Sequence, residues 1–320
     1  MHPPIAFLGN LAADEETRYR AALAAALPDE RIRPFRALTA AERAAVEVAI
    51  VANPDPAEVA QLPGLIWIQS LWAGVERLVR DLKPGTVPIV RLVDPELGRT
   101  MAEAVLAWTY YLQRDMPAYR RQQEAGLWRQ RPYRAPVDTT VGLLGFGVLG
   151  RAAADRLVRA GFRVAAWSRS APSMSAAGSA SAIETWAGPE GLTRLLGRSD
   201  IAVCLLPLTP ETRGLLDAAR LAELKPGAGL INVARGGIIV TEALLAALDA
   251  GHLDHAVLDV FETEPLPAAS PLWRHPGITV LPHVTAPTNP VTAAAVVAGN
   301  LRAYRTTGQI PAAVDVRRGY

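Results

Sequence analysis

Residues 141–150 read Val-Gly-Leu-Leu-Gly-Phe-Gly-Val-Leu-Gly, an apolar run that leads directly into three glycines. The pattern predicts a strand that ends at Gly145 and a helix that begins after Gly147. In such a turn Gly145 allows the sharp change of direction, Gly147 lets the backbone approach a pyrophosphate, and Gly150 lets the helix pack closely on the strand. A second strand-like segment follows at residues 163–167, as a strand–helix–strand unit requires. The stretch therefore predicts a dinucleotide-binding turn, and a purely structural glycine turn is the alternative.

The residues after the second strand indicate which dinucleotide is bound. An NAD site has an acid there, which accepts hydrogen bonds from the ribose hydroxyls. This chain has Ser168-Arg169-Ser170 instead, and no acid occurs between Asp155 and Glu184. A guanidinium flanked by two hydroxyls suits a 2′-phosphate. The sequence therefore predicts NADPH in preference to NADH, and the alternative is that Arg169 is an ordinary solvated side chain.

The rest of the chain is organised around similar units. Its 320 residues, half of them hydrophobic, are enough for two domains. Strand-like and helix-like segments alternate in the first hundred residues and again after residue 139, which predicts two doubly wound parallel-sheet α/β domains. Long helices are predicted at residues 101–112 and 291–304, and a surface loop at residues 173–181. The predicted strands cover residues 5–8, 46–52, 65–69 and 87–90, and then residues 140–144, 164–167, 201–206, 230–233, 256–260 and 279–281.

Composition argues against several other classes of protein. The formal charge is only +2 and no dense basic run occurs, so nucleic acid is not an expected partner. A single cysteine, Cys204, excludes an intramolecular disulfide and a multi-cysteine metal site, and no metal is expected. No apolar run is long enough to span a membrane, and residues 1–16 do not resemble a signal peptide. We expect a soluble, cytoplasmic protein.

Three polar residues lie where predicted strands end, which is where open parallel sheets bind ligands. Arg235 follows the strand at residues 230–233, Glu264 lies shortly after the next strand, and His283 follows the last one. The other four histidines lie at the terminus, near a helix end or in connections, where ordinary structural roles explain them. These three residues are the candidates for chemistry.

Further short motifs accompany the glycine turn. They are residues 145–150 (GFGVLG), 167–170 (WSRS), 205–212 (LLPLTPET), 232–236 (NVARG), 258–261 (LDVF), 264–267 (EPLP), 271–273 (PLW), 282–284 (PHV) and 317–320 (RRGY). Together they resemble the D-isomer-specific 2-hydroxyacid dehydrogenases, and among these most closely the reductases of glyoxylate and hydroxypyruvate. The matching segments begin at Ala73 and extend to the C-terminus, so the resemblance covers most of the chain.

The resemblance implies that Arg235, Glu264 and His283 form the catalytic set. A planar guanidinium can hold the carboxylate and ketone of a 2-oxo acid in one orientation. An imidazolium can protonate the oxygen of a ketone that receives a hydride, and a neighbouring carboxylate favours the charged imidazole. Arg235 could instead be a capping or phosphate contact, and Glu264 could be a turn acid before a proline.

The resemblance also implies binding residues. For the substrate, the backbone N–H groups of Trp72, Ala73 and Gly74 would meet the carboxylate, together with Arg235 and His283. Relatives often have glycine at the position of Trp72; the backbone donor survives this change, and the bulkier side chain leaves the size of the substrate open. Asp259 would hold the nicotinamide amide. The implied cofactor-binding residues are Gly145, Gly147, Val148, Leu149, Gly150, Ser168, Arg169, Ser170, Leu206, Pro207, Thr212, Val233, Ala234 and Asp259.

The implied architecture is a Rossmann cofactor domain inserted into a flavodoxin-like substrate domain. The substrate domain would comprise residues 1–98 and 286–320, and the NAD(P)-binding domain residues 99–285. A homodimer is implied, with the helix after Thr100 in its interface and Trp128 as a candidate contact to the partner.

The expected function is NADPH-dependent reduction of a small 2-oxo acid, glyoxylate or hydroxypyruvate. Two alternatives stay open from the sequence. One is a sibling dehydrogenase for a larger 2-oxo acid, and the other is a dinucleotide-sensing protein without turnover. The presence of Arg235, Glu264 and His283 argues against the sensor, because a sensor does not need an acid–base pair.

Overall fold

The computed structural model describes residues 2–82, 87–170 and 183–315. The chain divides into two units, Met1–Leu97 with Thr288–Tyr320, and Gly98–Pro287. Each unit is built on its own parallel sheet, which confirms the predicted fold class. The loop predicted at residues 173–181 and the motif at residues 317–320 lie outside the described residues.

The first unit has five strands in the order β2-β1-β3-β4-β5, and all neighbours are parallel. This order is that of flavodoxin-like sheets. The central strand β3 is buried along its whole length, as its unbroken apolar sequence requires when helices cover both faces. The elements are β1 (Ile5–Gly9), α1 (Ala13–Ala26), β2 (Ile32–Pro34), α2 (Ala40–Ala45), β3 (Val48–Ala52), α3 (Pro56–Val59), β4 (Trp67–Ser70), α4 (Glu76–Asp81), β5 (Ile89–Val90) and α11 (Pro290–Thr307).

Helix α11 returns from the end of the chain to the first unit. Its apolar face, with Ala293, Val297 and Leu301, is buried in one cluster with Leu23 of α1 and Trp67 of β4. Because this face repeats at helical spacing, the returning segment completes the core of the first unit rather than that of the second.

The second unit has seven parallel strands in the order β12-β11-β10-β9-β6-β7-β8. The order reverses between β9 and β6, so the carboxyl ends of these strands form the switch point at which such sheets bind ligands. The elements are α5 (Pro95–Gln113), α6 (Met116–Glu124), β6 (Thr140–Leu144), α7 (Val148–Arg159), β7 (Arg163–Ser168), β8 (Ile183–Ala187), α8 (Gly188–Arg198), β9 (Ile201–Cys204), α9 (Ala218–Ala222), β10 (Ala228–Asn232), α10 (Thr241–Asp249), β11 (Leu253–Leu258) and β12 (Ile278–Val280).

Two strands were not predicted, and one predicted helix starts earlier than expected. Strands β2 and β8 are both edge strands, and they are partly exposed and carry polar residues, so they lack the apolar signal of central strands. Helix α5 begins at Pro95 because the Asp94 side chain accepts a hydrogen bond from the Glu96 amide, 2.9 Å away. Within the described residues, no helix has both the length and the apolar character that crossing a bilayer requires.

Candidate active site

The glycine turn leaves its backbone open to a ligand. Gly145 has φ +111° and donates its N–H to the carbonyl oxygen of Trp167 at 2.9 Å. Helix α7 begins at Val148, and among the described residues no side chain caps this end. A Cβ at Gly150 would overlap the carbonyl oxygen of Gly145, whereas a Cβ at Gly147 would meet nothing within 4 Å. Close packing on one side, with open space and uncapped amides on the other, fits the pyrophosphate of a dinucleotide.

Arg169 follows strand β7 directly and lies opposite an acid from a distant segment. The Ser168 hydroxyl donates to the carbonyl oxygen of Ser170 at 2.7 Å, which closes the turn. Arg169 Nη1 lies 3.9 Å from Glu211 Oε2, and both side chains are largely exposed. A hydrogen bond from the Thr209 hydroxyl lowers the pKa of Glu211, so this carboxylate is anionic. Exposed pairs of this kind contribute little free energy, so Arg169 can exchange Glu211 for a phosphate.

The other predicted cofactor-binding residues also follow strand ends of the second sheet. In the connection after β9, the Thr212 hydroxyl donates to the carbonyl oxygen of Pro207 at 2.7 Å and accepts from the Thr209 amide at 2.8 Å. Because the carboxyl ends of these parallel strands lie along one edge of the sheet, the predicted cofactor-binding residues lie along that edge as well. They are Val148 and Leu149 after β6, Leu206, Pro207 and Thr212 after β9, and Val233 and Ala234 after β10.

The loop that carries Arg235 lies against the segment that carries Glu264. Arg235 follows strand β10, and its Nη1 donates to the carbonyl oxygen of Ala234 at 2.6 Å. A Cβ at Gly236 would overlap the backbone of Phe261. Only glycine allows this approach of two backbones. Because the segment of Phe261 continues to Glu264, the contact brings the guanidinium and the carboxylate into one region.

Glu264 and His283 form a hydrogen-bonded pair. His283 Nδ1 lies 2.8 Å from Glu264 Oε2, and Glu264 Oε1 accepts from the Phe261 amide at 2.9 Å. The His283 side chain is 51% exposed and that of Glu264 is 35% exposed, so the pair is accessible to a ligand. Since Nδ1 is bound to the carboxylate, Nε2 is the nitrogen that can face a substrate.

Asp259 holds the backbone that follows His283. Asp259 comes directly after β11 and is 1% exposed. Its two carboxylate oxygens accept from the Val284 amide at 2.7 Å and from the Thr285 amide at 2.9 Å. His283 itself has φ +55°, a backbone conformation that is uncommon for residues other than glycine. The buried carboxylate therefore fixes the segment in which the histidine is held, and the contact of Asp259 with a nicotinamide amide stays a prediction.

The electrostatics of the three candidate residues favour a protonated histidine. The hydrogen bond to Glu264 raises the pKa of His283 and outweighs the effect of burial, and the Arg235 charge opposes the rise. Burial acts to raise the pKa of Glu264, but hydrogen bonds from His283 and the Phe261 amide outweigh it, and the Arg235 charge adds to them, so the pKa is lowered. Both shifts favour the imidazolium–carboxylate form of the pair, beside the permanent charge of Arg235. Such a group can bind an anion and donate a proton.

The predicted substrate-binding residues lie in the first unit, shortly after the end of β4 at Ser70, and they are Trp72, Ala73 and Gly74. The Trp72 amide donates to the Ser70 hydroxyl at 3.0 Å, and its indole packs edge-on against Tyr19 with ring centroids 5.6 Å apart. The indole therefore contributes to the core of the first unit. The N–H groups of Ala73 and Gly74 make no hydrogen bond to another described residue, which leaves them available as donors.

Other reactive chemistry has little support in the described ranges. Cys204 is fully buried, and burial raises the pKa of its thiol to about 12, so it is not a nucleophile. Between residues 2 and 315, leaving aside residues 83–86 and 171–182, no three histidine, cysteine, aspartate or glutamate side chains group as a metal site would need.

Comparison with known proteins decides the family. Residues 106–285 match the model described as D-isomer specific 2-hydroxyacid dehydrogenase, NAD binding domain. The chain is 37% identical over 307 residues to glyoxylate/hydroxypyruvate reductase A of Serratia proteamaculans (strain 568), covering 94% of this chain and 95% of that protein. The chain belongs to the D-isomer-specific 2-hydroxyacid dehydrogenase family. The resemblance inferred from the motifs is thereby confirmed, as is the predicted class of 2-hydroxy acid oxidoreductase.

Solved structures of this dehydrogenase family agree with the fold. A D-isomer specific 2-hydroxyacid dehydrogenase from Xanthobacter autotrophicus Py2, in complex with NADPH and MES, is 39% identical with a TM-score of 0.91 over 100% of both chains. An NADPH-dependent glyoxylate/hydroxypyruvate reductase from Sinorhizobium meliloti, in complex with NADP and sulfate, is 33% identical with a TM-score of 0.87 over 99% of both chains. Both likenesses support the two-domain α/β architecture.

Sequence reasoning missed two residues of this site in the dehydrogenase. Glu211 opposes Arg169 although it lies far along the chain, and no local signal could have shown this. Asn232 is a buried polar residue at the end of an apolar strand, and its side-chain amide donates a hydrogen bond to the carbonyl oxygen of Arg235. A polar side chain that ends an otherwise apolar run is the signal that could have identified it.

Proposed function

We propose that this dehydrogenase reduces small 2-oxo acids with NADPH, converting glyoxylate to glycolate and hydroxypyruvate to D-glycerate. The observation that carries the proposal is the His283–Glu264 hydrogen bond of 2.8 Å within the influence of the Arg235 charge. The 37% identity to a glyoxylate/hydroxypyruvate reductase A supports the choice of substrate. Catalytic roles for these three residues are part of the proposal.

Each residue has a distinct task in this reaction. Arg235 binds the substrate carboxylate through its planar fork of donors and so fixes the position of the ketone. NADPH, when bound, supplies the hydride that the carbonyl carbon accepts. His283 gives the proton on Nε2 to the carbonyl oxygen, and solvent restores that proton after product leaves. Glu264 stabilises the imidazolium before transfer and holds Nδ1 throughout. A 2-oxo acid, a hydride and a proton thus give a 2-hydroxy acid.

The preference for NADPH is assigned to the turn after β7. The glycine turn at residues 145–150 would hold the pyrophosphate, and Arg169 with its flanking serines would hold the 2′-phosphate. The structures of two relatives in complex with NADPH or NADP support this assignment. Exchange of the exposed Glu211 for a phosphate would give Arg169 a more strongly charged partner.

The function is tested by initial rates with NADPH and NADH, each against glyoxylate, hydroxypyruvate and phenylpyruvate. We expect the highest kcat/KM with NADPH and the two small acids. A preference for phenylpyruvate would assign the protein to the dehydrogenases of larger 2-oxo acids, and the absence of turnover with every pair would favour a sensor.

In the same assay Arg169→Ala should raise the KM for NADPH by about tenfold, because one charge-assisted contact at an exposed site is lost. The KM for NADH should change little. The matched control is Arg163→Ala, at the other end of β7, where Arg163 forms a similarly exposed pair with Asp138 at 3.9 Å. Equal effects of Arg169→Ala on both coenzymes would contradict the assignment.

Glu264→Gln should change the pH dependence of reduction. The carboxylate raises the pKa of His283, so its removal leaves the imidazole less protonated at neutral and alkaline pH. Because the acid form is needed, kcat/KM should fall several-fold more at mildly alkaline than at mildly acidic pH. Glu262→Gln is the control, since Glu262 pairs with Arg213 at 2.6 Å and not with His283. A pH profile of Glu264→Gln that is parallel to that of the unsubstituted enzyme would exclude this role.

The enzyme is further proposed to act as a homodimer. Several large apolar side chains are exposed in one stretch after α6, and Trp128 is 100% exposed. A cluster of exposed large apolar side chains on a protein surface is typical of a protein–protein contact. The exposed apolar residues in this stretch are Leu127, Trp128, Tyr133 and Val137.

A further inference from the structure

We propose that Asn232 is a positioning residue that fixes the Arg235 guanidinium for binding of the substrate carboxylate. The proposal rests on the proposed function, in which Arg235 binds that carboxylate. Asn232 is the last residue of β10, is 1% exposed and bonds the Arg235 loop through both atoms of its side-chain amide, so it acts on that loop and not on the substrate.

One buried amide holds both ends of the short turn that leads to Arg235. Asn232 Oδ1 accepts from the Ala234 amide at 3.1 Å, and Asn232 Nδ2 donates to the carbonyl oxygen of Arg235 at 3.0 Å. The turn therefore needs an acceptor and a donor from the same side chain. An amide of this length supplies both, whereas a carboxylate supplies only acceptors.

Asn232 is also anchored to the neighbouring strand. Its carbonyl oxygen accepts from the Asp259 amide at 3.0 Å. Asp259 in turn holds the segment after His283 through its own buried side chain. Two adjacent strand ends thus carry one buried polar residue each, and each residue fixes the loop of one proposed catalytic group. This arrangement defines the position of Arg235 relative to His283.

The middle of this turn is packed, since Val233 and Ala234 are 4% and 7% exposed, whereas its two flanks border open space. A cavity of about 280 Å³ borders it, and the lining includes Asn232, Gly236, Phe261 and Leu266. Because open space borders Asn232 and Gly236, the hydrogen bonds of Asn232 contribute to fixing the end of the turn that carries Arg235. Loss of the Asn232 amide would therefore let the Arg235 end of the turn move, and a shift of about 1 Å can cost about 100-fold in rate.

The first test is Asn232→Ala, measured with NADPH and glyoxylate. We expect KM for glyoxylate to rise about tenfold or more and kcat/KM to fall by about 30- to 100-fold, and the Kd for NADPH to rise by a smaller factor because the same turn carries Val233 and Ala234. Ser199→Ala is the control, because it removes one buried hydrogen bond, of 2.7 Å to Leu195, at the amino end of the same sheet. It should leave KM unchanged. If Asn232→Ala does not fold, Asn232→Asp, which keeps the size but replaces the donor by a charged acceptor, is measured in its place.

A double-mutant cycle separates positioning from a general structural role. In the Arg235→Ala background, Asn232→Ala should change the KM for glyoxylate by less than about twofold, since the group that it positions is absent. A purely structural role would instead lower activity by the same factor in both backgrounds. The cycle therefore has an outcome that loss of stability alone cannot produce.

The pH profile is the third readout. The charges acting on His283 come from Glu264, Arg235 and Asp259, and of these Arg235 lowers the pKa of the imidazole. Displacement of Arg235 should therefore move the alkaline limb of kcat/KM to higher pH in Asn232→Ala, and Ser199→Ala should not move it.

The outcomes are distinguishable from failure of the proposed function. If the unsubstituted enzyme reduces no 2-oxo acid, or if Arg235→Ala keeps the KM for glyoxylate, the proposed function is wrong. If the enzyme is active and Arg235→Ala raises KM, but Asn232→Ala keeps KM within about twofold or has additive effects in the cycle, the positioning role of Asn232 is overturned.

Discussion

Substitution of His283 by asparagine should lower kcat for glyoxylate reduction by about 10²- to 10⁴-fold, the usual contribution of a general acid. The Glu264 hydrogen bond raises the pKa of His283, which favours the protonated imidazole in the unsubstituted enzyme. Asparagine offers no proton at this position. The KM for glyoxylate should change only a few-fold because Arg235 is untouched. Rapid-mixing kinetics with NADPH would separate the chemical step from binding.

Asparagine is chosen over alanine because of the backbone. His283 has φ +55°, and asparagine tolerates this left-handed conformation better than most residues with a side chain. The matched control is His275→Asn, since His275 forms another histidine–acid pair of the second unit, with Nε2 at 3.2 Å from Asp249. The control should retain kcat within about twofold. A His283→Asn enzyme that keeps more than about a tenth of kcat would show that another group supplies the proton.

The order of elements in the second unit could be predicted because its central strands are buried on both faces. Such strands must be continuous apolar runs, and the glycines of residues 145–150 mark where one of them ends. The edge strand β8 could not be predicted in the same way. Its side chains are only partly buried, so its sequence is not a continuous apolar run and cannot be distinguished from that of an ordinary loop.

The sequence predicted which residues form the candidate site, but it did not predict the contacts between them. Arg235, Glu264 and His283 stand out because polar residues follow strand ends, and the sheet brings strand ends together. The approach of Gly236 to the Phe261 backbone joins the Arg235 loop to the segment of Glu264, and the His283–Glu264 hydrogen bond joins residues 19 positions apart. No local pattern encodes that approach. The same reason explains why Glu211 opposite Arg169 was missed.

Arg235 is the second residue whose loss should have a large effect. In Arg235→Ala we expect kcat/KM for glyoxylate to fall by about 10²- to 10⁴-fold, mostly through KM, since two charge-assisted hydrogen bonds contribute about 1.5–3 kcal/mol each. Arg235→Lys keeps the charge but not the planar fork, so its loss should be intermediate. The Arg235 charge also lowers the pKa of His283. The alkaline limb of the residual activity should therefore move to higher pH in Arg235→Ala.

The carboxylate contact can be isolated by changing the substrate rather than the protein. With the unsubstituted enzyme, glyoxylate should be far better than its neutral methyl ester, because only the acid presents two oxygens and a full charge to the guanidinium. With Arg235→Ala this preference should largely disappear. Arg213→Ala is the control, because Arg213 borders the same loop beside Gly237 but is paired with Glu262 at 2.6 Å. If Arg235→Ala keeps the preference for the acid over the ester, the carboxylate is held elsewhere, and Arg235 acts only through its charge on His283.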